Sequence, residues 1–491
     1  MNRHAAGLPP LRAGSARADR DGVDLRGVFW GDEEVLRRLY FAVRDPNWAT
    51  LVPELVTPFP VEQGVGFGWH ARFKLRTGEV WVRVEIKLDD ESLIGSMEAR
   101  ADSEVSYNRI GWCVLLPLSL AGTPVTLRTA DGDVPERLSR LVAPQPLGPT
   151  GPQAALGPFS EFAWGSGDAI YRLSFTGDLF ELEDQRNWTD ASFKIYSTPL
   201  ALPRPLKLRP GEVLRQTVTL QREARNEGAV QVEATPRVAS PTTDNRTRLS
   251  ALLHTASDTD LSVLVSLGIE AVRIEMHPAE PTSLERTAHR ISQACRANLG
   301  YELTLWCDSN TPWSAVRSLL ALHRPELVVI LPADARSGAT SECTGPALAK
   351  IAAQELGEVP LAGGTPFNLC ELQRHDLAHL ASLTCTLTPT VHATDPLSVL
   401  ETTEALPDIV RTLRARAPGA ALALGPFQGR ERRPDDPPGL RPSIAGLPKK
   451  WLAASVEALI ANGVERLCIA GVGDLVRDGA PTRYGSAVKR P

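Results

Sequence analysis

The chain has 491 residues, 43% of them hydrophobic and 23% charged, with a formal net charge of −5. That length allows about two to four domains with sizeable cores, and the composition is that of an ordinary globular protein. The acidic balance supplies no basic field for nucleic acid or for an anionic membrane surface.

The first residues, "MNRHAAGLPPLRAGSARADRDG", carry arginines but no apolar core of a secretory signal. Residues 1–24 read as a flexible lead-in. No run is long and apolar enough to cross a bilayer. The seven cysteines are scattered without a CxxC pair, and read as buried free thiols of a reducing compartment. A cytoplasmic protein is expected.

From residue 25 to 225 short runs alternate apolar and polar residues. In "GEVWVRVEIKL", Val80, Val82, Val84 and Ile86 face one way and Trp81, Arg83, Glu85 and Lys87 the other. "YNRIGWCVLLPL", "TPVTLRTADGD", "AIYRLSFTGDLFELE" and "EVLRQTVTLQRE" follow, with Asp131-Gly132 at a turn. Period-two runs punctuated by Pro and Gly predict antiparallel sheets closed into a β-sandwich.

Past the polar stretch "ASPTTDNRTR" the rhythm changes, and residues 226–491 read as a second domain. Strand-like runs now alternate with helix-length segments. The candidate strands are "VQVEATPRVA", "AVRIEMH", "ELTLWCD", "LVVILPA", "VPLAGGT", "LTCTLTP", "AALALGPF" and "RLCIAGVG". Eight β-α repeats predict a (β/α)8 TIM barrel. A doubly wound sheet is the runner-up, but no GxGxxG or Walker A loop supports it.

Alternate residues of a barrel strand face the lumen. This points Arg273, Glu275 and His277 inward, with Glu302, Thr304, Trp306 and Asp308, and Thr384, Thr386 and Thr388. Glu275, His277, Trp306 and Asp308 fall near the C-terminal strand ends, where barrel active sites lie. A structural network of Arg273 with Glu275 or Glu302 is the plainer alternative. Gly363-Gly364, Asn368 and Glu371 follow the fifth strand, and His392 and Asp395 the sixth. Glu371 and His392 are candidate acid or base groups. Glu371 could instead pair with Arg374, and Asp395, before Pro396, could cap a helix.

His375 and His379 are four apart and would share a helical face, but no third metal ligand is evident. There is no GxSxG, HExxH or SxxK motif. "ERRPDDPPGLRP" reads as a loop long enough to overhang the barrel mouth. No metal and no cofactor are expected.

The segment "LFELEDQRNWTDASFKIY" is densest in chemical groups. Alternation puts Glu181 and Glu183 on one face, with Arg186 and Lys194 as the nearby cations. Trp188 could stack on a sugar ring or on Arg186. A hydrogen-bonded structural corner would use the same residues.

"FELEDQRNWTDASFKIYSTPL" and "YNRIGWCVLLP" resemble the N-terminal domain of bacterial D-apionolactonases, also called D-apionate lactonases. "AGGTPFNLCELQR" and "TPTVHATDPLSVLET" resemble motifs of that family's TIM barrel. The resemblance implies a mutarotase-like β-supersandwich followed by a TIM barrel of glycosidase type. It also implies hydrolysis of D-apionolactone to D-apionate in apiose catabolism. Two departures stand out. Leu116 precedes Pro117 where the family usually has His, and "CIAGVGDLVRDG" lacks a motif with Glu, Thr and Trp after the eighth strand. On this resemblance the chain is a diverged member without the small β-rich domain that follows the barrel.

The partner expected is a small-molecule sugar lactone, with no nucleic acid and no membrane. Lactone hydrolysis needs an activated water, a donor to the oxyanion and an acid for the leaving alkoxide. The site is expected between the sandwich and the barrel mouth. Glu371, His392 and Glu275 are the catalytic candidates; Glu183, Arg186, Asn187, Trp188, Asp308, Asn368 and Asp395 are the substrate-binding ones. A glycoside hydrolase pairing Glu371 with Glu275 or Asp308 is the same-fold alternative, and a non-catalytic carbohydrate-binding relative the other.

Overall fold

The computed structural model describes residues 8–149, 151–224, 247–254, 256–335, 339–430 and 443–488. The chain divides into two compact units: Met1–Gln185 with Ser192–Arg237, and Arg186–Ala191 with Val238–Pro491. The division departs from chain order at Arg186–Ala191, which clusters with the second unit although strands of the first flank it. No helix among the described residues is long and apolar enough to cross a membrane. The cysteines are free thiols, buried except for Cys295.

The first unit holds an eight-stranded and a nine-stranded sheet whose strand pairs are antiparallel. The alternating run Gly78–Leu88 is a strand with Val80, Val82, Val84 and Ile86 in the core. Trp112, Val114, Phe180, Leu182, Phe193 and Ile195 fill the same core from the other sheet. Strands arise because every second side chain is apolar, so pairing buries one complete face.

The lead-in is structured earlier than its composition suggests. Leu11–Ala13 pairs with Ala16–Asp21 as the edge of the eight-stranded sheet. Ala16 and Ala18 alternate inward and are buried. Alanine is a weak apolar signal among arginines and aspartates, and the charges hid the period.

The second unit is a closed barrel of eight parallel strands. They are Arg248–Leu252, Ala271–Met276, Gly300–Cys307, Leu327–Pro332, Leu361–Gly364, Ser382–Thr384, Ala421–Leu424 and Arg466–Gly471. The first is therefore the short "RLSAL" run, not "VQVEATPRVA"; that stretch lies outside the described residues, as does "ERRPDDPPGLRP". "RLSAL" was obscured by the polar residues before it. The segments read as helices form them at Ser283–Arg296 and Trp313–Leu322. Most strand residues are buried, as expected when helices cover one face and the lumen the other.

Glycine is demanded at the end of the fifth strand. Gly364 sits at φ +148°, and a Cβ there would run into the Thr384 carbonyl oxygen of the sixth strand. The absence of a side chain at Gly364 thus makes room for the neighbouring strand.

Candidate active site

The floor of the lumen is an ion-paired layer. Glu302 is fully buried and accepts from Arg273 Nε at 2.9 Å, from Arg466 Nη1 at 3.0 Å and from Ser250 Oγ at 2.9 Å. Burial alone would raise the Glu302 pKa, but Arg273 and Arg466 together hold it below the ordinary value. Arg466 continues to Glu326 at 3.1 Å. The structural pairing of Arg273 with Glu302 is thus present.

Above this layer the strands end around a recess. Arg273, Glu275, Thr304, Thr365, Thr384 and Thr386 are its polar lining residues. Leu252, Val329 and Leu331, from the first and fourth strands, line it with apolar side chains. The recess measures about 300 Å³ out to open solvent, but its enclosed part has room for little more than a water molecule. Glu275 is the one carboxylate among the described residues that line it. It lies two residues after Arg273, on the same strand face. Beside it at the strand ends, the rings of His277 and Trp306 stack with centroids 5.1 Å apart and planes 11° apart.

The other residues singled out from sequence have different surroundings. Glu371 is the third residue of the helix Leu369–Gln373, and its Oε2 accepts from the Asn368 backbone N–H at 3.1 Å. Asn368 is the N-cap residue of that helix, and the two stand at the spacing of a capping box. Arg374 lies 4.0 Å from Glu371 Oε1. Asp395 caps Pro396–Glu401, accepting from the Ser398 N–H at 2.8 Å. Asp308 is exposed and closes a turn, accepting from the Asn310 N–H at 2.8 Å. None of these four lines the recess.

Within the first unit, Glu183 pairs with Lys194 at 2.9 Å. Burial pulls the Lys194 pKa down, and Glu183 opposes that. Glu181 accepts from the Leu200 N–H at 2.8 Å. Arg186, expected to balance these carboxylates, instead binds Asp408 at 2.7 Å inside the second unit. Both side chains of that pair are buried, and Asp408 also takes Arg411 at 2.7 Å. Asn187 accepts from Gln373 Nε2 at 2.9 Å. His392 Nδ1 meets Asp190 Oδ2 at 2.6 Å, and the Trp188 ring stands edge-on to the His392 ring at 5.2 Å. The segment Arg186–Ala191 is thereby fastened to helices and loops of its own unit.

The suggested histidine pair does not share a helix. The helix stops at Gln373; His375 then meets Glu342 at 3.1 Å, and His379 the Thr344 carbonyl at 3.0 Å. Among the described residues no three His, Cys, Asp or Glu side chains are grouped as metal ligands.

Sequence reasoning had Arg273, Thr304, Thr384 and Thr386 facing the lumen, and all four line the recess. It did not weigh Thr365, nor Asp190, Gln373 and Asp408 as partners of the Arg186–Ala191 segment. Those pairings join positions some 200 residues apart, such as Arg186 and Asp408, and no local pattern announces them.

The family models and a curated relative point to one family. Residues 2–225 match the D-apionate lactonase N-terminal domain, and residues 249–435 match the TIM barrel domain of D-apionate lactonase. A D-apionate lactonase of Brucella anthropi is 28% identical over 445 residues, which is 85% of this chain and 72% of that protein. Among solved structures, the galactosidase domain of α-galactosidase-sucrose kinase AgaSK is 10% identical, covers 98% of this chain and 78% of its own, and has a TM-score of 0.29. A putative aldose 1-epimerase from Escherichia coli is 14% identical, covers 44% and 98%, and also scores 0.29. Both are too distant to give any residue a role. With the two domains matched in order along the chain, this protein belongs to the D-apionate lactonase family.

Proposed function

We propose that this protein hydrolyses D-apionolactone to D-apionate, with the chemistry at the C-terminal end of the barrel lumen. The observation that supports this placement is Glu275, the one carboxylate among the described residues that line a recess of mixed polar and apolar side chains. A sugar lactone presents both hydroxyls and ring carbons to such a lining.

In this reading Glu275 acts as general base. It takes a proton from water as the water oxygen forms a bond to the lactone carbonyl carbon. The carbonyl π pair moves to oxygen and gives a tetrahedral oxyanion. Collapse of that intermediate breaks the ring C–O bond. The protonated Glu275 then returns its proton to the leaving alkoxide, which gives the open hydroxy acid and restores the carboxylate. Burial lowers the Arg273 pKa, but Glu302 chiefly, and Glu275 to a lesser degree, raise it above its ordinary value, so a charged guanidinium stands two residues from Glu275.

Glu371 is engaged in its capping box and Asp308 in its turn. A pair of carboxylates across one sugar ring, as glycoside hydrolysis needs, therefore has less support than a single base. The His392–Asp190 contact holds an imidazole as a general base would need, but His392 does not line the recess.

The test is a pH-stat assay of the purified protein with D-apionolactone, run beside nitrophenyl glycosides. Acid release from the lactone alone is the expected result. Cleavage of glycosides without lactone hydrolysis would overturn the reading.

A further inference from the structure

Antiparallel pairing in the first unit sets two arginines directly opposite one another. Arg44 ends the strand Glu33–Arg44, Arg109 begins the strand Arg109–Pro117, and the two are partners in register. Directly opposed residues share a face with Cβ atoms about 4.5–5.5 Å apart, where like charges repel. Neither side chain has a hydrogen bond or an ion pair among the described residues. Arg109 is nevertheless only 2% exposed. A buried guanidinium without an acceptor is costly, and native structures retain few of them. Lys194, on the strand beyond Arg109, points to the same face. Burial lowers its pKa, Glu183 raises it, and Arg109 and Arg44 both lower it further.

The carboxylates of this region are already engaged. Glu183 holds Lys194 at 2.9 Å, Glu181 accepts from the Leu200 N–H at 2.8 Å, and Asp178 accepts from the Leu179 N–H at 2.8 Å. Two aromatic rings set the plane of Arg109 instead. Its Cζ lies 4.1 Å from the centroid of Tyr196 and 5.7 Å from that of Trp48. Stacking occupies the face of a guanidinium and leaves its N–H edge for a planar acceptor. The Arg109 Nε is sealed from solvent, but Nη1 and Nη2, equally without hydrogen bonds, are not. Trp48 is 39% exposed and brings the cluster to the surface, with Arg204 over the same ring at 5.3 Å.

We propose that Arg44 and Arg109 form a carboxylate-binding site in the first unit, which takes a small hydroxy acid with its carbon chain against Trp48. The bound carboxylate supplies the missing acceptor and places negative charge where the two arginines repel. Its planar oxygens match the fork of a guanidinium. Its single charge is repelled less by Glu181 and Glu183 than the double charge of phosphate. The site goes beyond the lactone reading and depends neither on Glu275 nor on turnover; that reading supplies only the probe, D-apionate, a hydroxy acid.

The experiment titrates D-apionate and, separately, inorganic phosphate into wild type, Arg109→Gln, Arg44→Gln and Glu275→Gln by calorimetry at neutral pH. The melting midpoint of each protein is read with and without ligand. Wild type is expected to bind D-apionate more tightly than phosphate, and Glu275→Gln to keep a site of the wild-type affinity. Arg109→Gln should weaken that site by about tenfold or more, as loss of a hydrogen bond to a charged group implies, and Arg44→Gln should weaken it in the same direction. Arg44→Gln removes a like-charge repulsion, so without ligand it should melt no lower than wild type. Its loss of affinity is then separate from loss of fold. Undiminished binding in both arginine variants, loss of binding in Glu275→Gln alone, no binding by wild type, or a preference for phosphate would overturn the site. Arginine-dependent binding without lactone turnover would leave the site standing and remove the proposed activity. Lactone turnover without arginine-dependent binding would do the reverse.

Discussion

The segment from Leu179 to Tyr196 and the barrel lumen are both rich in charged and aromatic residues, yet their groups are used differently. In the segment, Glu183 is matched by Lys194, Arg186 by Asp408, Asn187 by Gln373 and Asp190 by His392. In the lumen, Glu302 is matched in the same way at the floor. The level above has one donor of Arg273 with no partner among the described residues, in a side chain that lines the recess together with Glu275 and the threonines. A cluster of chemical groups is therefore not by itself a site. The useful sign is a buried polar atom whose partner is missing, next to space for one.

The contrast can be broken most severely at Arg186. If the segment is held by its ion pair, Arg186→Ala takes a buried counter-charge from Asp408. The expected loss is about 3–5 kcal/mol of stability, read from the urea midpoint. A loss below about 1 kcal/mol would mean that the segment is not fastened by this pair. A smaller effect is expected at Asp395, where the side chain caps Pro396–Glu401. Asp395→Ala should cost about 1 kcal/mol, and lactone turnover, corrected for folded fraction, should persist. A collapse of turnover there would move the site toward the loop after the sixth strand.

The smallest effect is a pH dependence with opposite signs in two places. Burial raises the pKa of Glu181 above its ordinary 4.5, so the folded protein holds a proton that the unfolded chain has released. The contribution of Glu181 therefore grows as pH falls through the raised value toward 4.5. Glu302 is lowered, so its contribution is complete at neutral pH and is lost only as pH falls through its depressed value. Urea midpoints of wild type and Glu181→Gln, taken from neutral pH downward, should shift in favour of wild type across the first window. A shift toward the variant would reverse the assigned sign.

Much of the fold was legible because it rests on short-range periodicity. The alternation of "GEVWVRVEIKL" and the β-α rhythm after residue 250 follow from burying one face at a time. The first barrel strand was missed because "RLSAL" is five residues long and follows a polar run. The opening strands were missed because alanine marks their buried face. For the site, inward-facing positions such as Arg273, Glu275 and Thr304 were readable from strand parity. The engagement of Glu371, Arg186 and Asn187 was not, apart from the capping spacing Asn368-x-x-Glu371. A side chain's partner across the fold leaves no trace in its own neighbourhood.

The central claim is that Glu275 does chemistry while Glu183 holds structure. It is tested most directly by measuring lactone turnover and the melting midpoint on the same preparations of Glu275→Gln and Glu183→Gln. Glu275→Gln should lose about 10²–10⁴-fold in kcat, as loss of a general base does, with its midpoint near wild type. Glu183→Gln leaves Lys194 buried without its counter-charge. It should melt clearly lower, while its folded fraction turns over at the wild-type rate. The opposite pattern, with turnover surviving in Glu275→Gln and lost in a stable Glu183→Gln, would contradict the account.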